Sequence, residues 1–185
     1  MHLTTWEIGH PAEEFVRLEE AGEIKGSVLD VGCGTGEDAL FLTAKGHETW
    51  GIDFSSVAIN EAREKAKERG LSTTFLTHNV LDLHAIGRTF DTIIDAGLFH
   101  TLSDKDRAPF ASSLASVLRH HGTYLMLCFS ELQPGTSGPR RVTQAEITST
   151  FGPPWHVNYI RPALLENVWP MPKRIRGWLS SISKE

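Results

Sequence analysis

Residues 28–37 read Val-Leu-Asp-Val-Gly-Cys-Gly-Thr-Gly-Glu, and they constrain the chain more than any other stretch. A short apolar run ends in a carboxylate, Asp30, and three glycines follow at alternate positions, Gly32, Gly34 and Gly36. Asp38 and the apolar residues after it open a helix. Strand, glycine turn and helix in that order place a ligand at the carboxyl end of a first parallel strand. Glycine suits the turn because a side chain would hold the backbone off the ligand, and because such turns draw on positive φ. A nucleotide-like ligand is the first expectation.

The 185 residues suffice for one domain with a full core and no crosslinks. A net charge of −5, with no long charge run, speaks against a polyanionic partner such as DNA or RNA. Cys33 and Cys128 stand far apart and form no C-x-x-C, which points to a reducing, cytoplasmic setting. The first residues form no apolar stretch, so no secretory signal is expected, and no run has membrane-spanning length.

Hydrophobic periodicity and breaker residues lay out the rest. An amphipathic helix is expected over 13–21, then a strand over 27–31, a helix over 36–45 and a strand over 47–53 ending in an acid. Ser55 or Ser56 caps a helix running to Arg69, stopped by Gly70. A strand over 73–77 leads into a loop over 78–82, and a fourth strand covers 90–95. A helix is expected over 103–118, with Pro109 breaking its first turn. A fifth strand covers 122–129, with His120 and His121 in a solvated turn before it. Thr143 and Glu146 form a capping box for a short helix. A sixth strand is expected over 155–161, a proline-bracketed loop over 162–172, and a last strand, or alternatively a helix, over 174–182. Alternating strands and helices give an α/β architecture with a mostly parallel sheet covered on both faces, and the short last connection permits an antiparallel hairpin at one edge.

The glycine pattern excludes one nucleotide class. A dinucleotide fingerprint needs G-x-G-x-x-G, and its third glycine position is here Glu37. Two acids at the helix start, Glu37 and Asp38, suit a ligand with a cationic end better than a diphosphate. Val28-Leu-Asp-Val-Gly-Cys-Gly-Thr-Gly36, with Gly51-Ile-Asp53, Asn79-Val-Leu-Asp82 and Phe90-Asp-Thr-Ile-Ile-Asp95, resembles class I S-adenosylmethionine-dependent methyltransferases across essentially the whole chain. The resemblance implies a Rossmann-like doubly wound sheet of seven mostly parallel strands and one domain, with a cap over 1–22, a cofactor core over 27–130 and acceptor-side elements over 131–185.

It also implies roles. Gly32, Cys33, Gly34 and Gly36 close on the methionine part, with Asp30 near its ammonium. Asp53 accepts both ribose hydroxyls, Asn79 and Val80 contact the adenine, Asp95 lies near the sulfonium, and Phe54 and Ala96 belong to the cofactor-binding set. Many relatives carry Asp where Asn79 stands.

A narrower likeness concerns the acceptor. Trp6-Glu-Ile-Gly-His-Pro11, Gly97-Leu-Phe-His100 and Gly138-Pro-Arg-Arg-Val-Thr143 are similar to a small-molecule branch that includes thiopurine, thiol and mycobacterial heterocyclic-toxin methyltransferases. Relatives there usually have Arg where His10 stands, and some carry a longer amino-terminal segment. The pocket is therefore expected to be more open, or closed by a partner subunit.

The branch implies a small thiol, ring nitrogen or phenolic or quinol oxygen as methyl acceptor, in a monomer or homodimer. His100 has the pKa range of a base, with a loop hydrogen bond as its plainer role. Trp6 and Phe99 wall an acceptor pocket or belong to the core. Arg141 holds an anionic acceptor group, whereas Arg140 is better read as pairing with surface acids.

Nine histidines show no metal-ligand spacing, and G-x-S-x-G is absent. Asp95-Ala-Gly-Leu lacks the motif of nucleic-acid amino methylation. The rival readings are a protein that holds the cofactor without chemistry, and a nicotinamide dehydrogenase.

Overall fold

The computed structural model describes residues 8–167 and 173–185. Seven strands form one sheet: β1 Val28–Val31, β2 Thr49–Asp53, β3 Thr74–Thr77, β4 Phe90–Ala96, β5 Leu118–Phe129, β6 Trp155–Asn167 and β7 Lys173–Lys184. Their order is β3-β2-β1-β4-β5-β7-β6, with the first five parallel and β7 antiparallel to both its neighbours. The mostly parallel sheet with an antiparallel edge hairpin is the expected architecture. The chain turns from β1 outward to β2 and β3, then returns to β4 on the other side. The carboxyl ends of β1 and β4 therefore flank the crevice where the strand order reverses.

Five α-helices cover the sheet: α1 Glu13–Glu20, α2 Glu37–Ala44, α3 Ser56–Glu68, α4 Asp104–Val117 and α5 Gln144–Thr150. All four residues of β1 are buried, as a central parallel strand requires. One core layer packs Leu29, Ile93, Phe99, Phe110, Tyr124 and Phe151 together. The opposite face buries Phe15 and Leu18 of α1 against Val28, Ile94, Leu125 and Leu179. Each such apolar side chain contributes about 2 kcal/mol of burial. Helix α3 turns Ala58, Ile59, Ala62 and Ala66 inward, and Ser55 caps it by accepting from the Ala58 N–H at 3.2 Å. Thr143 and Glu146 form the expected capping box on α5.

Several local expectations are corrected. Pro109 does not break α4, which runs unbroken through it. Pro109 and Lys105 are both exposed, so the carbonyl that Pro109 cannot serve meets water. Strand β5 begins at Leu118, earlier than expected, and carries the exposed His120 and His121 within it. His121 takes a φ of 61° where the β4–β5 register shifts, so the expected turn is a bulge. Residues expected to loop after β3 form a 3-10 segment, Val80–Ile86. Pro162, expected in a loop, lies inside β6 opposite Trp178. β6 is the edge strand, where a missing N–H is tolerated. The last strand expected over 174–182 is present as β7, and the helix alternative falls away. Trp6, Pro170 and Pro172 lie outside the described residues.

Candidate active site

The turn after β1 folds back over the end of β2. Cys33 N–H donates to the Ile52 carbonyl and Gly36 N–H to the Cys33 carbonyl, each at 2.9 Å. Gly34 N–H donates to Asp53 Oδ2 at 3.0 Å, and Ser55 N–H to Asp53 Oδ1 at 2.8 Å. Both oxygens of Asp53 are thus fixed in direction, and each keeps a free lone pair for another donor. Two of the glycines answer to the protein itself. A Cβ on Gly32 would lie 2.9 Å from Leu98 Cβ, and one on Gly36, at φ +85°, would lie 2.6 Å from the Phe75 ring.

A cleft of about 370 Å³ opens at the β1–β4 switch point. Of the expected residues, Asp30, Gly32, Cys33, Gly34, Asp53, Ala96 and His100 line it. Six carboxylates border it, from Glu13, Asp30, Glu37, Asp38, Asp53 and Glu166, and no Lys or Arg does so among the described residues. Asp30 is almost fully buried, and its Oδ2 has no partner. Burial, then the neighbouring Asp38, Asp95 and Asp53, raise its pKa well above the usual carboxylate value. Of the two acids at the helix start, Glu37 is already neutralised. Burial pulls its pKa up, but Arg69 and Lys65 outweigh this and lower it, at 2.8 Å and 3.0 Å. Among the described residues Asp38 has no Lys or Arg partner, only the more distant influence of His10. Its Oδ1 accepts from the Ala12 N–H at 2.7 Å, and burial raises its pKa to about 6. The cleft therefore calls for a cation, and an aminoacyl sulfonium brings one ammonium and one sulfonium charge.

Asp38 yields a prediction. Its folded pKa stands above the ordinary 3.8, so the folded state holds a proton that the unfolded state has lost between about pH 4 and about pH 6. Stability from this group is greatest at low pH and is lost as pH rises through about 6. Without ligand, Asp38→Asn should raise the melting temperature at neutral pH, and that advantage should vanish at about pH 3, below both pKa values. The same variant should bind S-adenosylhomocysteine more weakly at neutral pH. Thermal melts and calorimetry over pH check both.

The remaining expected residues fall elsewhere. Asp95 is fully buried and accepts from the N–H groups of Gly97, Leu98 and Phe99 at 2.9, 2.6 and 3.1 Å, and from Tyr124 Oη at 2.7 Å. It organises the loop after β4 instead of facing the cleft. Phe99 is also fully buried, packed on Phe110 and Phe151 with the Arg107 guanidinium 4.8 Å from its ring. It is core, not pocket wall.

Arg141 donates to the carbonyls of Gln133, Gly135, Ser137 and Pro139 and lies 5.4 Å from the Phe129 ring. Its guanidinium binds its own loop, which removes it as an anion holder. Arg140 pairs with the acids Asp104 and Glu146, as the plainer reading expected. Gly36 caps α2 outside the cleft lining.

Phe54, 85% exposed, and Asn79 sit on the open surface beside Asp53, since His78 N–H donates to the Asp53 carbonyl. Asn79 Oδ1 already accepts from the Leu81 N–H at 3.0 Å, and Val80 packs against the core.

The cleft also includes residues that sequence reasoning missed. Leu127, Leu164, Leu165 and Phe129 give it an apolar wall, and His10 reaches across from the amino-terminal segment to Glu166 at 3.1 Å. Only the short Trp6–Pro11 likeness pointed to that end. The β6 residues carried no local signal, because pairing with β7 alone brings them there.

His100 is 7% exposed. Its Nδ1 accepts from the Phe129 N–H at 3.1 Å, and burial, then Arg141, lower its pKa to about 4. A ring so placed is a poor base at neutral pH. Among the described residues no group of three or more His, Cys, Asp and Glu side chains is placed to hold a metal ion.

A doubly wound sheet with a cation-seeking cleft at its switch point and a fixed acid ending β2 defines a class of nucleotide-cofactor enzymes. Residues 28–122 match the family described as "Methyltransferase domain". The chain is 34% identical to the 2-heptyl-1-hydroxyquinolin-4(1H)-one methyltransferase of Mycobacteroides abscessus, over 86% of this chain and 72% of that one. It is 24% identical to the probable thiol methyltransferase 2 of Arabidopsis thaliana, over 81% of this chain and 67% of that one. A solved structure described as "Conversion of a Disulfide Bond into a Thioacetal Group during Echinomycin Biosynthesis" superposes with a TM-score of 0.91 at 30% identity, covering 98% of this chain and 86% of that one. The chain belongs to the methyltransferase family, and its methyl donor is S-adenosylmethionine. The unpartnered Oδ2 of Asp30, the acid-rich cleft and the fixed Asp53 fit that donor.

Proposed function

We propose that this enzyme methylates a small, flat acceptor that carries no permanent anionic group, through a thiol, a ring nitrogen or a phenolic, quinol or N-hydroxyl oxygen. The observation that carries this reading is the cleft itself. Beside the cofactor cradle it offers Leu98, Leu127, Leu164, Leu165 and Phe129 as apolar wall and, among the described residues, no Lys or Arg to pair with a carboxylate or phosphate. The two arginines that offered an anion site are held by Asp104, Glu146 and the carbonyls of the 133–139 loop. The Mycobacteroides abscessus relative, named for a quinolone, and the Arabidopsis thaliana relative, named for thiols, support the same range of acceptors.

The bound donor supplies an electrophilic methyl group on a sulfonium whose leaving group is neutral. The protein's part is alignment and exclusion of water. Asp30 and Asp38 hold the ammonium end, Asp53 holds the ribose, and the apolar wall presents the acceptor face. A monomer or homodimer belongs to the same reading, as does a cytosolic setting, which the free thiols of Cys33 and Cys128 support. Among the described residues no helix is long and apolar enough to cross a membrane.

The test incubates the protein with S-adenosylmethionine and, separately, thiophenol, 4-hydroxyquinoline, 1-hydroxyquinolin-4(1H)-one and benzoate, and weighs the products. Methylation of one or more of the first three, with benzoate untouched, is the expected result. Binding of S-adenosylhomocysteine with no methylated product from any probe would instead favour a protein that only holds the cofactor.

A further inference from the structure

Among the described residues, His100 is the one polar ring in the acceptor end of the cleft that no ion pair occupies, and its two nitrogens have different tasks. Nδ1 faces the Phe129 backbone N–H at 3.1 Å. A backbone N–H can only donate, so Nδ1 carries no proton and serves as acceptor. In a neutral imidazole the proton then sits on Nε2. Nε2 has no hydrogen-bond partner among the described residues, and His100 lines the cleft. It lies beside Gly97, where an added Cβ would come within 3.4 Å of it, and both residues line the cleft. The Phe129 ring, its centroid 4.8 Å away and edge-on, holds the imidazole plane.

We propose that His100 is a fixed hydrogen-bond donor, not a base, and that its Nε2–H selects acceptors bearing a carbonyl or oxyanion oxygen. The inference rests on the methyl-acceptor reading above and narrows it to planar molecules with such an oxygen. Neutrality of the ring at working pH follows from its burial and from Arg141, the charged group that faces it. With no base at this position, the acceptor gives its proton to water before it binds, or offers a ring-nitrogen lone pair that has none to lose. The acceptor lone pair then forms the new bond to the methyl carbon while the carbon–sulfur electrons stay on sulfur. No proton crosses the protein in the transfer.

Two measurements test this. The first needs no acceptor: two-bond proton–nitrogen correlation spectra of the labelled protein report the tautomer directly. The expected pattern is a bare Nδ1 and a protonated Nε2, unchanged from about pH 8 to about pH 5.5. A proton on Nδ1, or a doubly protonated ring in that range, would overturn the proposal whatever the acceptor is.

The second compares His100→Gln with His100→Leu. The amide of Gln keeps one acceptor and one donor but cannot act as a base. With 1-hydroxyquinolin-4(1H)-one, His100→Leu should raise KM about ten-fold with little change in kcat, and His100→Gln should restore it to within about three-fold. With thiophenol, which has no oxygen, neither variant should change KM by more than about two-fold. Equal collapse of both variants, with S-adenosylhomocysteine binding intact, would return His100 to a base. Wild type that binds S-adenosylhomocysteine but methylates neither probe counts against the acceptor reading and leaves the tautomer result to decide the donor role.

Discussion

Asp53→Ala should weaken S-adenosylhomocysteine binding in calorimetry by about a hundred-fold or more, the loss of two charge-assisted hydrogen bonds at roughly 1.5 kcal/mol or more each. The carboxylate ends β2, and the Gly34 and Ser55 N–H groups hold one oxygen each at 3.0 and 2.8 Å. The remaining lone pairs therefore need no reorganisation when a pair of adjacent hydroxyls arrives. Fold stability should fall only modestly, because Asp53 is half-buried and the freed Ser55 N–H is exposed, whereas the buried Gly34 N–H loses its partner. Asp53→Asn retains the shape but loses the charge and one acceptor, so its affinity should fall between the two. Wild-type affinity in Asp53→Ala would mean that the nucleoside is held without this acid, and the cofactor site would have to be redrawn.

Asp95→Ala should be the most destabilising single truncation near the site, by about 3–5 kcal/mol. One buried carboxylate satisfies three successive backbone N–H groups and the Tyr124 hydroxyl. Its removal strands four donors, two of them in the fully buried Phe99 and Tyr124. For a chain of this size the loss should lower the melting temperature by about 10 °C. Burial raises the pKa of Asp95 to about 6, and the hydrogen bonds from Tyr124 and the loop N–H groups work against that rise. The carboxylate thus does its work against a desolvation cost. The loop it gathers carries His100, so methyl transfer should fall further than cofactor affinity. A melting temperature within a few degrees of wild type would show that water replaces the carboxylate in this loop.

The separation of roles around β4 shows where reading the residues falls short. Asp95, Phe99 and His100 all follow one strand and all suit a reaction centre by type. Backbone direction alone turns Asp95 back on its own loop, sends Phe99 into the core and leaves His100 at the cleft. Arg140 and Arg141 pose the same difficulty: adjacent cations, one held by acids on two helices and the other by its own loop's carbonyls.

Local chemistry by itself determined much of this protein. The apolar run ending in Asp30, the alternate glycines, the acid ending β2 and the capping box on α5 each act over a few residues. Their spacing specified the parallel sheet and the switch-point cleft, the two acids opening α2 favoured a ligand with a cationic end, and the resemblance to the methyltransferases implied which one. Tertiary structure decided what depends on partners distant in the chain. Gly32 and Gly36 are required by the close approach of Leu98 and Phe75, whatever the ligand asks of them. Pro162 is accommodated because its strand lies at the edge. The acceptor wall exists because the β6–β7 hairpin carries Leu164, Leu165 and Glu166 up against the amino-terminal segment. A residue's type sets which bonds it is able to make, but packing chooses which of them it makes.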